Sequence, residues 1–175
     1  VSVSGYGIIS GFTNDGNKIP EQTIPQYYDK LGFSYNKFAD SITVSETEWD
    51  FERYKPDIIV INLGTNDMNY ATTDERKAEF EDGYLDFLKK VRSLNPDSYI
   101  FQTYGVMGTS LEENIENVRR KYMSETGDER ITFIPLTMQD EDADGIVADW
   151  HPSPRTHSLV SQKVTAAIKK TLGYK

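Results

Sequence analysis

The chain has 175 residues, with 28 acidic against 19 basic side chains and a net charge of −9 at pH 7. A chain of this length is expected to form a single domain, over residues 1–175, around a real hydrophobic core. The acidic excess argues against nucleic-acid binding, and no apolar run is long enough to cross a bilayer. The absence of cysteine excludes disulfides, thiolate metal sites and a cysteine nucleophile.

The first part of the chain is dominated by turns. Residues 1–3 (VSV) have the pattern of a strand end, and the glycines of the SGYG segment that follows predict a tight turn. Residues 11–49 contain Pro20, Pro25 and scattered Gly, Asn and Asp, and they are predicted to be irregular.

Strand-like and helical segments alternate over the rest of the chain. The apolar, β-branched run over 58–63 predicts a strand that is buried on both faces of a parallel sheet. The predicted elements that follow are a helix over 74–91, a strand over 99–104, a helix over 111–123, a strand over 131–135 and a helix over 156–172, which Gly173 ends. This alternation predicts an α/β fold with right-handed crossover connections.

Both histidines lie in a short segment around the start of the last predicted helix. In the DWHP motif, Asp149 is predicted to fix the tautomer of His151, which leaves the other ring nitrogen as a general base. The alternative is a surface Asp–His pair that caps the helix. Trp150 either packs in the wall of the cleft or stacks on a sugar. His157 is predicted to be a structural histidine, because no third strong ligand at zinc-like spacing accompanies it.

A polar tetrapeptide, Gly64-Thr65-Asn66-Asp67, follows the first of the apolar strands. In parallel sheets the chemistry collects beyond the carboxyl ends of the strands. The amide of Asn66 is therefore predicted to stabilise an oxyanion, a contribution of about 3 kcal/mol for one donor. The alternative is a turn asparagine that bonds its own loop. The backbone N–H of Gly5 is a candidate second donor, unless this glycine only serves its turn.

These motifs, in this order, resemble those of the SGNH (GDSL-like) hydrolases and, among them, the carbohydrate esterase family 2 acetyl esterases. The resemblance implies a three-layer α/β/α sandwich with a parallel, flavodoxin-like sheet. It also implies hydrolysis of acetyl esters on plant cell-wall polysaccharides or oligosaccharides through an acyl-serine intermediate, with no cofactor and no metal. The matching segments are residues 1–7 (VSVSGYG), 49–51 (WDF), 55–57 (KPD), 64–67 (GTND), 104–108 (YGVMG), 148–153 (ADWHPS) and 156–157 (TH).

Carried over to this chain, the resemblance makes Gly5 and Asn66 the oxyanion-hole donors, His151 the general base and Asp149 its orienting acid. One departure concerns the acid. Many SGNH hydrolases place it three residues before the histidine, and Ala148 stands at that position here.

A larger departure concerns the nucleophile. The family places a Gly-Asp-Ser block at the end of its first strand, ahead of the glycine block with which this chain begins. The resemblance therefore implies that the first strand and the nucleophilic serine belong to an N-terminal segment before Val1. Ser41, in the sequence DSIT, imitates the serine block, but it follows the glycine block and no buried strand precedes it. Ser41 is thus the weaker candidate.

The leading hypothesis is a carbohydrate acetyl esterase whose partner is an acetylated polysaccharide or oligosaccharide. Two alternatives stay open at this point: another SGNH acyl hydrolase, such as a lipase or thioesterase, and a non-catalytic glycan-binding module with a degenerate site. The acidic, cysteine-free composition is typical of secreted glycan-active proteins, so an extracellular location is expected.

Overall fold

The computed structural model describes residues 3–33, 37–38 and 42–174. Short 3₁₀ turns lie at Ile24–Gln26, Phe51–Arg53 and Ala148–Trp150. The strands and helices are β1 (Lys37–Phe38), β2 (Ile42–Thr43), β3 (Ile58–Asn62), α1 (Asp74–Leu94), β4 (Tyr99–Tyr104), α2 (Glu112–Thr126), β5 (Ile131–Pro135), α3 (Glu141–Asp144) and α4 (Pro154–Leu172). The predicted helices and the three apolar strands are confirmed, with shifts of a few residues at their ends.

A parallel sheet with the strand order β3-β4-β5 lies at the centre of the molecule. Strand β4 lies between the other two strands and under helices on both faces, and its side chains are buried from Ile100 to Tyr104. Helix α1 connects β3 to β4 and α2 connects β4 to β5, which is the crossover arrangement that parallel strands require.

Helices cover both faces of this sheet. Side chains at successive strand positions point to opposite faces, and on β4 Ile100 packs with α1 and α2 whereas Phe101 packs with α4. The layers are therefore α1 and α2, the sheet, and α4, which is the predicted α/β/α arrangement. Ser153 caps the start of α4, where its hydroxyl accepts a hydrogen bond from Thr156 N, and Gly173, whose φ is 72°, caps the end.

Strand β3 differs from the prediction that it is buried on both faces. Ile61 is buried towards α1 and α2, but Val60, on the face of α4, is 48% exposed and Asn62 is exposed as well. The reason is that, within the described ranges, β3 is an edge strand that pairs only with β4, so no described neighbour on its other flank helps to cover these side chains.

The N-terminal region is irregular, as predicted for residues 11–49. A bridge between Gly7 and Thr23 and the antiparallel pair β1–β2 are its main regular pairings. Val3 lies outside any strand, so this part of the strand predicted over residues 1–3 is wrong, and the other two residues lie outside the described ranges. None of the helices in the described part of the chain combines the length and apolar character needed to span a membrane.

Candidate active site

A cleft of about 640 Å³ lies beyond the carboxyl ends of β3 and β4, beside the start of α4. It gathers the four residues predicted to act together, Gly5, Asn66, Asp149 and His151. Convergence of these segments is what the predicted chemistry requires, because the base and the oxyanion donors must reach one carbonyl group. The remaining lining is Val3, Ser4, Phe12, Asn62, Thr65, Met68, Gly105, Val106, Met107, Leu136, Pro152, Thr156, His157 and Val160.

A larger hollow of about 830 Å³ lies between α2 and β5, away from these motifs. Its walls carry Glu112, Glu116, Arg119 and Phe133, and no histidine is among the described residues that line it. The smaller cleft is therefore the better candidate for a reaction that needs a neutral base at neutral pH.

The two predicted oxyanion donors lie on segments that contact each other directly. Gly5 has a φ of 77°, in the left-handed region that favours glycine, and its carbonyl accepts a hydrogen bond of 2.8 Å from Phe12 N. The side-chain Nδ2 of Asn66 donates to the carbonyl of Tyr6 over 2.8 Å. A primary amide carries two hydrogens, so this bond orients the Asn66 amide and leaves its second hydrogen for the cleft.

Asp67, next to Asn66, links the turn after β3 to the N-terminal loop. Its carboxylate is fully buried and accepts hydrogen bonds from the backbone N–H groups of Ile8, Ile9 and Ser10. Burial raises the pKa of Asp67 to about 6, against the effect of these three hydrogen bonds, which lower it. The sequence gives no direct sign of this role, because the bonds join segments that are far apart in the chain.

His151 lies in a tight loop between the 3₁₀ turn and α4. Its Nδ1 is 3.1 Å from the carbonyl oxygen of Ala148, which also accepts the backbone N–H of His151. A carbonyl only accepts, so Nδ1 must carry the proton, and Nε2 is left as the acceptor that a general base needs.

Asp149 lines the same cleft as His151, but the carbonyl of Ala148 occupies the position at Nδ1 that was predicted for its carboxylate. The physical reason is the 3₁₀ turn, which brings the carbonyl of the third residue before His151 onto the imidazole. The orienting role of Asp149 stays a prediction. Asp149 and Trp150 are both left-handed, with φ of 55° and 56°, so the loop carries backbone strain beside the predicted base.

Trp150 stands at the surface rather than in the wall of the cleft. It is 66% exposed, and its backbone carbonyl accepts a hydrogen bond of 2.7 Å from Nε2 of Gln139. Its predicted contact with a sugar stays a prediction. His157 is exposed on the first turn of α4 and lines the cleft, a placement that the prediction of a structural histidine did not include.

Three hydroxyl groups line the described part of the cleft, those of Ser4, Thr65 and Thr156. Thr156 is buried at the start of α4, with its hydroxyl 3.4 Å from that of Ser153. Ser41 lies outside the described residues, so its candidacy as the nucleophile stays untested. Over the ranges that the structure describes, no three His, Cys, Asp or Glu side chains come together as a possible metal site.

Comparison with known proteins identifies a family of esterases and acylhydrolases. The model of the GDSL-like Lipase/Acylhydrolase family matches residues 5–159. The cellulase/esterase CelE of Acetivibrio thermocellus is 35% identical to this chain in an alignment of 148 residues that covers 79% of the chain and 17% of that protein.

Solved structures extend the similarity to the three-dimensional fold. The acetyl xylan esterase Est2A from the rumen bacterium Butyrivibrio proteoclasticus matches with a TM-score of 0.84 at 25% identity, over 97% of this chain and 50% of that one. A family two carbohydrate esterase from Clostridium thermocellum, in complex with cellohexaose, matches with a TM-score of 0.76 at 30% identity, over 98% of this chain and 49% of that one. The chain thus spans about half the length of these solved proteins and less of the curated relative.

Proposed function

Because the chain belongs to the GDSL-like lipase/acylhydrolase family, we propose that it is the esterase part of a protein that hydrolyses acetyl esters on plant cell-wall polysaccharides or oligosaccharides. The observation that carries this proposal is the single cleft in which Gly5, Asn66 and His151 meet. The names of similar proteins, an acetyl xylan esterase and a carbohydrate esterase bound to cellohexaose, support the acetyl group and the sugar.

The reaction proceeds in two halves that use the same groups. A serine hydroxyl attacks the acetyl carbonyl carbon while Nε2 of His151 takes its proton, and the carbonyl electron pair moves onto oxygen. The N–H groups of Gly5 and Asn66 stabilise this oxyanion. The sugar oxygen then leaves with the proton from His151. Water attacks the acetyl-serine in the same way and releases acetate.

We assign the nucleophilic serine to a strand beside the open flank of β3, in a segment of the protein that precedes Val1. Two observations support this assignment: Val60 of the edge strand β3 is exposed, and Asn62 of β3 and Val160 of α4 both line the cleft. A parallel strand there would end at the cleft, since carboxyl ends of parallel strands meet at one edge of a sheet. Ser41 remains the alternative within the sequence.

The partner that we propose is therefore an acetylated glycan, and the site of action is extracellular, where such polymers occur. The net charge of −9 suits a neutral polymer better than a nucleic acid or an anionic membrane surface. The exposed ring of Trp150, beside His151, is available to stack on a sugar outside the cleft.

One observation favours a longer acyl group over acetyl. Apolar side chains make up much of the lining of the cleft, among them Phe12, Met68, Met107 and Val160. A lipase or thioesterase would use such a surface to bind an acyl chain. A glycan-binding module is the other alternative, and it would bind sugar without turnover.

A panel of p-nitrophenyl esters from acetate to decanoate separates these functions when it is run on the full-length protein. We expect the highest kcat/KM on acetate and a loss of at least about 1000-fold in His151→Ala, because both the base and the general acid are removed. His157→Ala is the matched variant, and we expect its loss to stay below about tenfold. A preference for decanoate would favour a lipase, whereas binding of xylan oligosaccharides without turnover would favour the binding module.

A further inference from the structure

The carboxylate of Asp67 is held by the protein backbone alone among the described residues. Its Oδ1 accepts from Ile8 N at 3.0 Å, Ile9 N at 2.8 Å and Ser10 N at 3.1 Å, and its Oδ2 accepts from Ile8 N at 2.9 Å. No ion pair with Asp67 occurs among the side chains that the structure describes. Three successive N–H groups around one carboxylate leave the loop over 8–10 little freedom to move.

Gly7 lets this loop approach the carboxylate. A Cβ atom at this position would lie 2.4 Å from Oδ2 of Asp67 and 2.2 Å from the carbonyl oxygen of Ser10. Real Cβ atoms essentially never come so close to another heavy atom, so the approach requires a glycine. The contact between the loop and the Asp67 carboxylate thus depends on a glycine at residue 7.

The other side of Asp67 is anchored in the turn that carries Asn66. Asp67 N donates to the carbonyl of Gly64 over 3.1 Å, and the Asp67 carbonyl accepts from Tyr70 N and Ala71 N over 3.0 and 2.8 Å. The backbone of Asp67 is therefore fixed to the segment after β3, while its side chain is fixed to the loop over 5–10, the glycine loop.

The two oxyanion donors come from these same two segments. Gly5 precedes the loop that Asp67 holds, and Asn66 is the residue before Asp67. Apart from the bond from Asn66 Nδ2 to the carbonyl of Tyr6, the contacts of Asp67 with Ile8, Ile9 and Ser10 are the described hydrogen bonds that join the glycine loop to the turn over 64–67.

We propose that Asp67 is a positioning residue, which sets the separation of the Gly5 N–H and the Asn66 amide by holding the glycine loop against the turn over 64–67. This inference rests on the proposed function, because Gly5 and Asn66 are oxyanion donors only if the protein is an esterase. Asp67 faces no substrate, since it is buried beneath the loop.

Two substitutions keep or remove the hydrogen-bond acceptors at residue 67. Asp67→Asn keeps one oxygen, and Oδ1 alone accepts from all three N–H groups, so the loop should be largely retained. Asp67→Ala removes every acceptor. Asp128→Asn is the control at a distant carboxylate: Asp128 also accepts from a backbone N–H and from Tyr122, but it pairs with Arg92 at 2.6 Å and precedes β5, at the amino end of the sheet.

The first readout is amide hydrogen exchange by NMR, and it does not depend on activity. We expect Asp67→Ala to speed exchange at Ile8, Ile9 and Ser10 by at least 100-fold while α1 and β4 stay protected, and Asp67→Asn to speed it by less than about tenfold. In Asp128→Asn these three amides should exchange as in the wild type. Unchanged exchange in Asp67→Ala would overturn the proposal.

The second readout is the separation of kcat from KM on an acetyl ester with the full-length protein. An oxyanion donor acts only in the transition state, so its displacement should lower kcat by about 100-fold in Asp67→Ala with KM within about twofold, and by about tenfold or less in Asp67→Asn. Equal losses in both variants, or a loss confined to KM, would overturn the positioning role. If the wild type lacks acetyl esterase activity, the proposed function fails, and hydrogen exchange still decides whether Asp67 holds the loop.

Discussion

The two halves of the candidate active site are built in opposite ways. The oxyanion half lies on the glycine loop and the turn over 64–67, which a fully buried carboxylate ties together. The base half lies on an exposed loop in which Asp149 and Trp150 are both left-handed and His151 is held by one backbone carbonyl. The groups that must match a developing charge are thus fixed by the core, whereas the group that moves a proton sits on a surface loop.

Gly7→Ala should break the oxyanion half and has the largest expected effect. The new Cβ would overlap the backbone of Ser10 and the carboxylate of Asp67, so we expect a loss of about 4 kcal/mol in the free energy of unfolding, measured by urea denaturation. Gly32→Ala is the control, because its Cβ would meet its nearest neighbour, Val44, at an ordinary 3.7 Å. Equal stability of the two variants would mean that the glycine loop does not pack on Asp67.

The pH dependence of the free energy of unfolding tests the oxyanion half, and its expected effect is of intermediate size. Because burial raises the pKa of Asp67 from 3.8 to about 6, the native state holds this proton more tightly than the unfolded state does. The contribution of Asp67 to the free energy of unfolding is therefore complete below pH 3.8 and is lost as the pH rises through 6, by at most about 3 kcal/mol.

Urea denaturation of the wild type and of Asp67→Asn between pH 4 and 7.5 measures this contribution of Asp67 to the free energy of unfolding. The stability of the wild type relative to the variant should fall across that range. Tyr84 of α1 and Tyr104 of β4 lie close enough to interact electrostatically with Asp67, and burial raises the pKa of both hydroxyls, so neither titrates in this range. A difference that does not change with pH would place the pKa of Asp67 outside the interval.

Asp149→Asn tests the base half and has the smallest expected effect. Because the Ala148 carbonyl already accepts from Nδ1 of His151, we expect kcat on an acetyl ester to fall by less than about tenfold. Asparagine tolerates the left-handed conformation at this position, so the melting temperature should hardly change. A loss in kcat of several thousand-fold would instead establish Asp149 as the orienting acid.

The sequence predicted those features that depend on local pattern. Apolar periodicity was enough for α1, α2, α4 and the strands β3, β4 and β5, and the GTND and DWHP motifs identified two sides of the cleft. The exposure of Val60 was not predictable, because it depends on which strand lies beside β3 rather than on β3 itself. The backbone groups that bond Asp67 and His151 were not predictable for a related reason: every residue type other than proline offers the same N–H and C=O.

The open flank of β3 also has a consequence for handling the polypeptide. Within the described ranges no strand pairs with this flank, and the free edge of a β-branched strand is a template on which another chain can add in register. A sample made of these 175 residues is therefore prone to concentration-dependent association through Ile58–Asn62, and an added peptide that pairs with this flank should keep it monodisperse.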